Sequence, residues 1–397
     1  MTQMAFRGTG AALKYFIFLL FFLGAEASQA ELKIGGFASV GFIAGDTEID
    51  FLSGPDVISE SAMFGADNTL GLQLSADITP EIDMTVQLLA KGVAEGYDVS
   101  AHWAYISYNL SPESTVRVGK LNFPGALYNE TQEIGFSYPW ARNPIEVYTL
   151  LPFTSVSGTD YIYRFDAFDI NWELQSAVGS VSSIQAIGAT ISLDLAYGFA
   201  LQAYTDYGRW HFSAIKVEDA DIAIPVGGTE ISVNFDFVFT TLGFEQEFND
   251  FVLISEVMKK DVKNNPSADL YSKSDMLAYY LTLGYRTGDF MLHFTYAATE
   301  SDNKAVFYPA GTPLPDAPPA GIPAQYWVAP VDLLAPSNGE LFLQKSYTAG
   351  LRYDLSSQVA LKFEAQRIVS DKGSWGVFYK DPGDSVDLFT VVVDVVF

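Results

Sequence analysis

The stretch Ser385 to Phe397 constrains the fold more than any other. Taken every second residue back from the end, Phe397, Val395, Val393, Val391 and Phe389 form one apolar face at the period of a β-strand. The other face, Val396, Asp394, Val392 and Thr390, is mixed. A strand this apolar must be paired, because a long bare edge templates aggregation. Pairing it with the chain's own first strand removes both sheet edges at once. In lipid that closure is obligatory, since only helices and closed barrels satisfy every backbone group there. The pattern predicts that 385–397 closes a transmembrane β-barrel.

The N-terminal residues predict the route of export. Arg7 and Lys14 precede the apolar run Tyr15 to Leu23, and Gly24-Ala25-Glu26-Ala27-Ser28-Gln29-Ala30 follows. A spanning helix needs roughly 20 apolar residues, and this run falls well short. A basic start, a short apolar core and a small-x-small end predict a signal peptide over 1–30, cut between Ala30 and Glu31. Residues 31–397 are then one barrel domain.

From Lys33 onward the chain repeats segments of about ten residues with alternating polarity, the signature of barrel strands. At 82–91, Ile82, Met84, Val86, Leu88 and Ala90 alternate with Asp83, Thr85, Gln87 and Lys91. Tight turns such as Thr79-Pro80-Glu81, Ser111-Pro112-Glu113, Asn249-Asp250 and Gly288-Asp289 alternate with longer connections at 45–61, 92–100, 122–157, 218–229, 261–274, 301–345 and 371–384. The expected architecture is an all-β, antiparallel, up-and-down transmembrane barrel of about sixteen strands. Aromatics gather at the tight turns (Phe165, Phe168, Tyr207, Trp210, Phe248, Phe251, Tyr285, Phe290), as a girdle at a membrane interface requires.

Composition narrows the function. The formal charge is -26, from 22 Lys+Arg against 48 Asp+Glu, which excludes the basic face a nucleic-acid partner needs. With no Cys there is neither a disulfide framework nor a thiolate metal site. His102, His211 and His293 are far apart, and no metalloprotease, phosphate-loop or nucleophile-elbow pattern is present. No cofactor, metal or catalytic residue is expected.

The segment 122–153 stands out among the connections. It carries Phe123, Leu127, Tyr128, Ile134, Phe136, Trp140, Ile145 and Val147, too much apolar surface to lie bare. It follows the fifth expected strand. Here, and in the terminal strand, the chain resembles the Gram-negative outer-membrane porins of the 16-stranded type, whose third loop leaves the fifth strand and folds into the lumen. The terminal strand also resembles the C-terminal assembly signal of Gram-negative outer-membrane proteins, which ends in an aromatic residue. The resemblance implies passive diffusion of small hydrophilic solutes and ions, a bacterial outer-membrane location and a homotrimer.

Within that expectation, Glu130, Glu133, Glu146 and Arg142 on the loop face the remaining water. By strand parity, Arg117, Arg164, Arg352, Lys362, Asp83 and Glu173 stand on the lumen wall. Opposed charges at a narrowing filter ions, and the acidic balance predicts weak cation selectivity. Acids in the outer loops suit divalent cations at a lipopolysaccharide layer. Segment 301–345, with Pro309, Pro313, Pro315, Pro318, Pro319, Pro323 and Pro330, is expected to be extended. Two other classes stay open: an outer-membrane barrel hydrolase, and a plugged structural or adhesive barrel.

Overall fold

The computed structural model describes residues 31–47, 49–50, 57–58, 63–65, 68–93, 96–151, 153–186, 189–226, 229–263, 275–301, 343–370, 376–378 and 383–397. The expected signal peptide and almost all of the proline-rich segment lie outside the described residues.

Sixteen long strands carry the described chain. They are β1 (Leu32–Gly45), β2 (Thr69–Asp77), β3 (Ile82–Val93), β4 (Gly96–Ser111), β5 (Ser114–Asn122), β6 (Ser155–Ala167), β7 (Ile170–Ala186) and β8 (Ala189–Thr205). They continue as β9 (Gly208–Val226), β10 (Thr229–Phe248), β11 (Phe251–Lys263), β12 (Met276–Thr287), β13 (Phe290–Ser301), β14 (Gln344–Ser356), β15 (Val359–Ser370) and β16 (Val386–Val396). Each pairs antiparallel with the next, and β16 returns to β1 with Phe37 opposite Val396 and Gly45 opposite Leu388. The sheet therefore closes on itself through the terminal strand, as the alternation predicted. Gly36 and Phe397 exchange backbone hydrogen bonds of 2.9 Å each way. A Cβ on Gly36 would come within 2.8 Å of the Gly71 carbonyl oxygen and run into the Phe397 ring, so the close approach at the seam favours glycine.

Parity assigns the two faces. On β12 and β13, Leu281, Leu283, Leu292 and Phe294 point out and are about half exposed, while Tyr280, Thr282 and Thr295 point in and are buried. The tight turns lie at one end. Phe168 and Asp169 both have positive φ (59° and 58°), the backbone of a mirror-image two-residue hairpin turn. That places the Phe168 ring outward, 92% exposed, at the girdle. Neighbouring rings complete the girdle: Phe165 on Trp172 at 6.2 Å, Tyr207 on Phe248 at 5.7 Å, Phe251 by Tyr285 at 5.2 Å and Phe290 on Tyr353 at 4.5 Å.

Two expected long loops are strand instead. β3 and β4 leave only 94–95 between them, and β9 and β10 leave only 227–228. The glycines and acids of 92–100 and 218–224 read as loop, yet Tyr97 and Val99 alternate with Asp98 and Ser100. Asp219, at φ 51°, sits where the β9–β10 register shifts between Val217 and Ala220, so the ladder passes the acidic patch and resumes.

Candidate functional site

The segment between β5 and β6 lies inside the barrel. Its neck is tied first: the Asn129 side-chain amide donates to Asn122 Oδ1 at 2.8 Å, to Thr154 O at 3.3 Å and to Phe123 O. The first turn then docks on β11. Glu256, fully buried, accepts from the Leu127 N–H at 2.7 Å, from the Tyr148 hydroxyl at 3.1 Å and from the Tyr280 hydroxyl at 3.3 Å. Further along, the Trp140 ring N–H is shared between Thr282 at 3.0 Å and Thr295 at 2.9 Å.

The far side of the loop is held by charge. Lys362 on β15 donates to Gly135 O at 2.6 Å and Trp140 O at 2.7 Å, and pairs with Asp394 of β16 at 2.8 Å. Arg352 on β14 donates to Phe136 O at 2.8 Å and Tyr138 O at 2.9 Å. The Ala141 N–H donates to Glu364 at 2.9 Å. A Cβ on Gly135 would strike Asp394 and Ser39, so only glycine lets the backbone come this close to the wall.

Apolar packing makes the loop a fixture. Phe123, Leu127, Tyr128, Trp140, Val147, Leu150 and Phe153 join Ile215, Phe237, Phe239, Ile254 and Met258 of the wall in one buried cluster. Each fully buried side chain of this size contributes about 1.5–3 kcal/mol. A second cluster, Ile43, Ile145, Ile368, Val377, Phe378, Val386 and Leu388, packs the loop helix against the outer ends of β15, β16 and β1.

The polar stretch of the inner wall runs along β2–β7 and the turn-side ends of β9 and β10. It bears neutral hydrogen-bonding pairs, Gln87 to Gln73 at 3.0 Å and Ser75 to Thr85 at 3.2 Å. Deeper come ion pairs. Arg117 Nε lies 3.0 Å from Asp160 Oδ1, and Gln175 adds a bond to Asp160 at 2.7 Å. Arg164 pairs with Glu173 at 2.8 Å, and Arg209 with Glu245 at 3.1 Å. Glu130 on the loop faces this wall, exposed to the lumen and within electrostatic reach of Arg117, Glu173, Asp160 and Arg209. The arrangement is a charged slit between a fixed loop and a striped wall, suited to sorting solutes by charge.

No family model matches the sequence, and no curated protein matches it. Solved structures do. OmpT of Vibrio cholerae lacking loop L8, an outer membrane protein, superposes with a TM-score of 0.56 at 11% identity, over 94% of this chain and 100% of that one. The in-vitro folded, trimeric form of OmpT gives 0.53 at 12%, over 93% and 100%. OmpF of Salmonella typhi, in complex with daunomycin, gives 0.51 at 10%, over 93% and 98%. By fold, this chain is a 16-stranded outer-membrane β-barrel.

In this outer-membrane barrel the expected site residues divide. Glu130 faces the slit, and Glu133 pairs with Lys91 at 2.7 Å beside it. Arg117, Arg164 and Glu173 line the slit, and Asp83 stands on the same wall, accepting from Asn109 at 3.3 Å. Arg142 is half-buried on the loop. Lys362 and Arg352 are on the inner wall as parity required, but they anchor the loop; Lys362 is completely buried. Glu146 departs from expectation. It is 1% exposed, receives the Gln344 side-chain amide at 2.7 Å and meets no lumen water, because its short helix (Ile145–Tyr148) packs on β12 and β13. Burial pushes its carboxyl above the usual carboxylate range. Glu256 and Arg209 went unrecognised. Glu256 had a signal: it is the one acid on the otherwise apolar inward face Val252, Ile254, Met258.

Proposed function

We propose that the chain is a passive outer-membrane channel for small hydrophilic solutes and ions, without a chemical step or cofactor. The placement of Glu130 carries this reading. It stands on a loop fixed inside the barrel, opposite Arg117 and Arg209, on the side where the lumen is polar rather than packed. A plugged barrel would pack both sides.

The slit supports weak cation selectivity. Three arginines (Arg117, Arg164, Arg209) stand against four carboxylates (Glu130, Asp160, Glu173, Glu245), three minus four, or -1. The reading against an enzyme is supported by the histidines, since His102, His211 and His293 are each buried on separate strands. The trimeric form of OmpT supports a homotrimer. Outward ion pairs at the upper rim, Lys259–Asp261 at 2.7 Å and Arg367–Asp387, suit contact with lipopolysaccharide phosphates and their divalent cations.

The test is the reversal potential of purified protein in a planar bilayer across a salt gradient. Ohmic steps with a small cation preference are expected. A clear anion preference contradicts the selectivity, and absence of conductance contradicts the channel.

A further inference from the structure

Beneath the tip of the inward loop the wall steps back and leaves a cavity of about 310 Å³. It lies at the tight-turn end, which is periplasmic in outer-membrane barrels. Val252 is the second residue of β11, Arg286 the last but one of β12, and Met291 the second of β13. A Cβ on Gly284 would sit 2.3 Å from the Met291 methyl carbon, so Met291 folds sideways over that glycine and the wall is recessed there. Loop residues Phe136, Tyr138 and Pro139 roof the cavity, and Val252, Ile254 and Met291 form its back. All three back residues are buried and apolar, on an inner wall that a water-filled lumen otherwise makes polar.

The mouth of the cavity is charged with both signs. Glu245, Arg286, Arg352 and Asp354 stand round it, two cations and two anions. They do not use one another up. Arg352 Nε donates to Asp354 Oδ1 at 2.7 Å, and its Nη1 holds the Phe136 and Tyr138 carbonyls. Among the described residues no hydrogen bond occupies Arg352 Nη2 or Asp354 Oδ2. Arg286 meets Glu247 at 3.2 Å, but both side chains are half exposed, where an ion pair contributes little against water. A second hollow of about 460 Å³ shares Phe136, Arg352 and Asp354 with the first and reaches the Ser356-Ser357 turn, so the cavity has a way in from the periplasmic mouth.

We propose that this cavity binds a small zwitterionic solute with an apolar side chain, an amino acid or a dipeptide. Its carboxylate meets Arg286 and the outer nitrogen of Arg352, its ammonium meets Asp354, and its side chain lies against Val252, Ile254 and Met291. Simpler ions fit worse. A plain anion faces Glu245 and Asp354, a plain cation faces two guanidinium groups, and an ion without an apolar body leaves the back wall unused. Ligand pockets run from roughly 300 to 1,000 Å³, so a cavity at the lower end suits a solute this small. The inference rests on the channel reading above, since the lumen delivers the solute, but the site shares only Glu245 with the slit.

Calorimetric titration of the purified barrel in detergent tests it, with L-phenylalanine and L-leucine as the ligands. Saturable binding of both is expected. Hydrocinnamate lacks the ammonium, phenethylamine lacks the carboxylate and glycine lacks the side chain; each is expected to bind about tenfold more weakly or worse. Arg286→Gln and Asp354→Asn are expected to weaken phenylalanine by a similar factor while single-channel steps persist. The ligand comparison uses the native chain, so a variant that fails to fold does not end the test. No saturable binding of either amino acid, equal binding of all five ligands, or undiminished binding in both folded variants overturns the site, and persistent conductance in planar bilayers then leaves the channel standing. Loss of all conductance in the native protein overturns the channel instead.

Discussion

Glu256 accepts a hydrogen bond of 2.7 Å from the backbone N–H of Leu127, 129 residues earlier in the chain and on the loop rather than the wall. With Tyr148 and Tyr280 it makes a three-donor site for one buried carboxylate. A carboxylate so placed must be bonded, and what it bonds is fixed in turn.

Glu256→Ala removes the acceptor that all three donors share and leaves a cavity at the loop's first turn. The expected loss is about 1–3 kcal/mol for each buried donor left without an acceptor. The loop is then released from β11, so single-channel currents become noisier and larger. Unchanged current noise contradicts the latch.

Trp140 separates packing from hydrogen bonding. In Trp140→Phe the ring remains largely buried, and Thr282 and Thr295 keep the 2.7 Å bond between their hydroxyls. The expected cost is about 1 kcal/mol, one hydrogen bond. Trp140→Ala empties the site and costs about 3–5 kcal/mol. Thermal unfolding in detergent distinguishes the two.

Glu146→Gln is expected to stabilise. Its carboxyl lies above the ordinary value of 4.5 because it is buried, and hydrogen bonds from Gln344, from its own backbone N–H and from Ser346 only partly offset that burial. For an acid raised on folding, the folded state holds the proton longer than the unfolded one. The group is therefore harmless below the unfolded value and becomes destabilising as pH rises through the folded one. At neutral pH the variant should melt a few degrees higher, and the difference should vanish in acid. A pH-independent difference contradicts this.

Asp160→Asn leaves Arg117 with its charge uncompensated at the slit. The balance rises by one from -1, so cation preference should disappear, and the reversal potential reads it. Glu130→Gln makes the same change from the loop side and should act in the same direction.

The outer wall was legible because a period of two in a lipid-facing strand admits one meaning once the sheet must close. All sixteen strands followed from it, with the largest errors where Gly92, Gly96 and the acids around Asp219 disguised a continuing ladder. The inward loop was legible from its own apolar surface. The roles of its charges were not. Parity shows that Lys362 and Glu256 point inward, but whether such a group meets water or a loop carbonyl depends on where a distant segment lands. Glu146 shows the same gap, since nothing local to Pro144-Ile145-Glu146-Val147 marks its carboxylate for burial.

The most direct test of the passage is a thiol placed at its narrowing. Glu130→Cys gives the protein its single cysteine, and a charged methanethiosulfonate reagent is added while one channel conducts in a planar bilayer. If solutes cross between the fixed loop and the β5–β9 wall, conductance falls in a discrete step as the thiol reacts. A conducting channel whose current ignores the modified residue 130, despite complete labelling, contradicts that route.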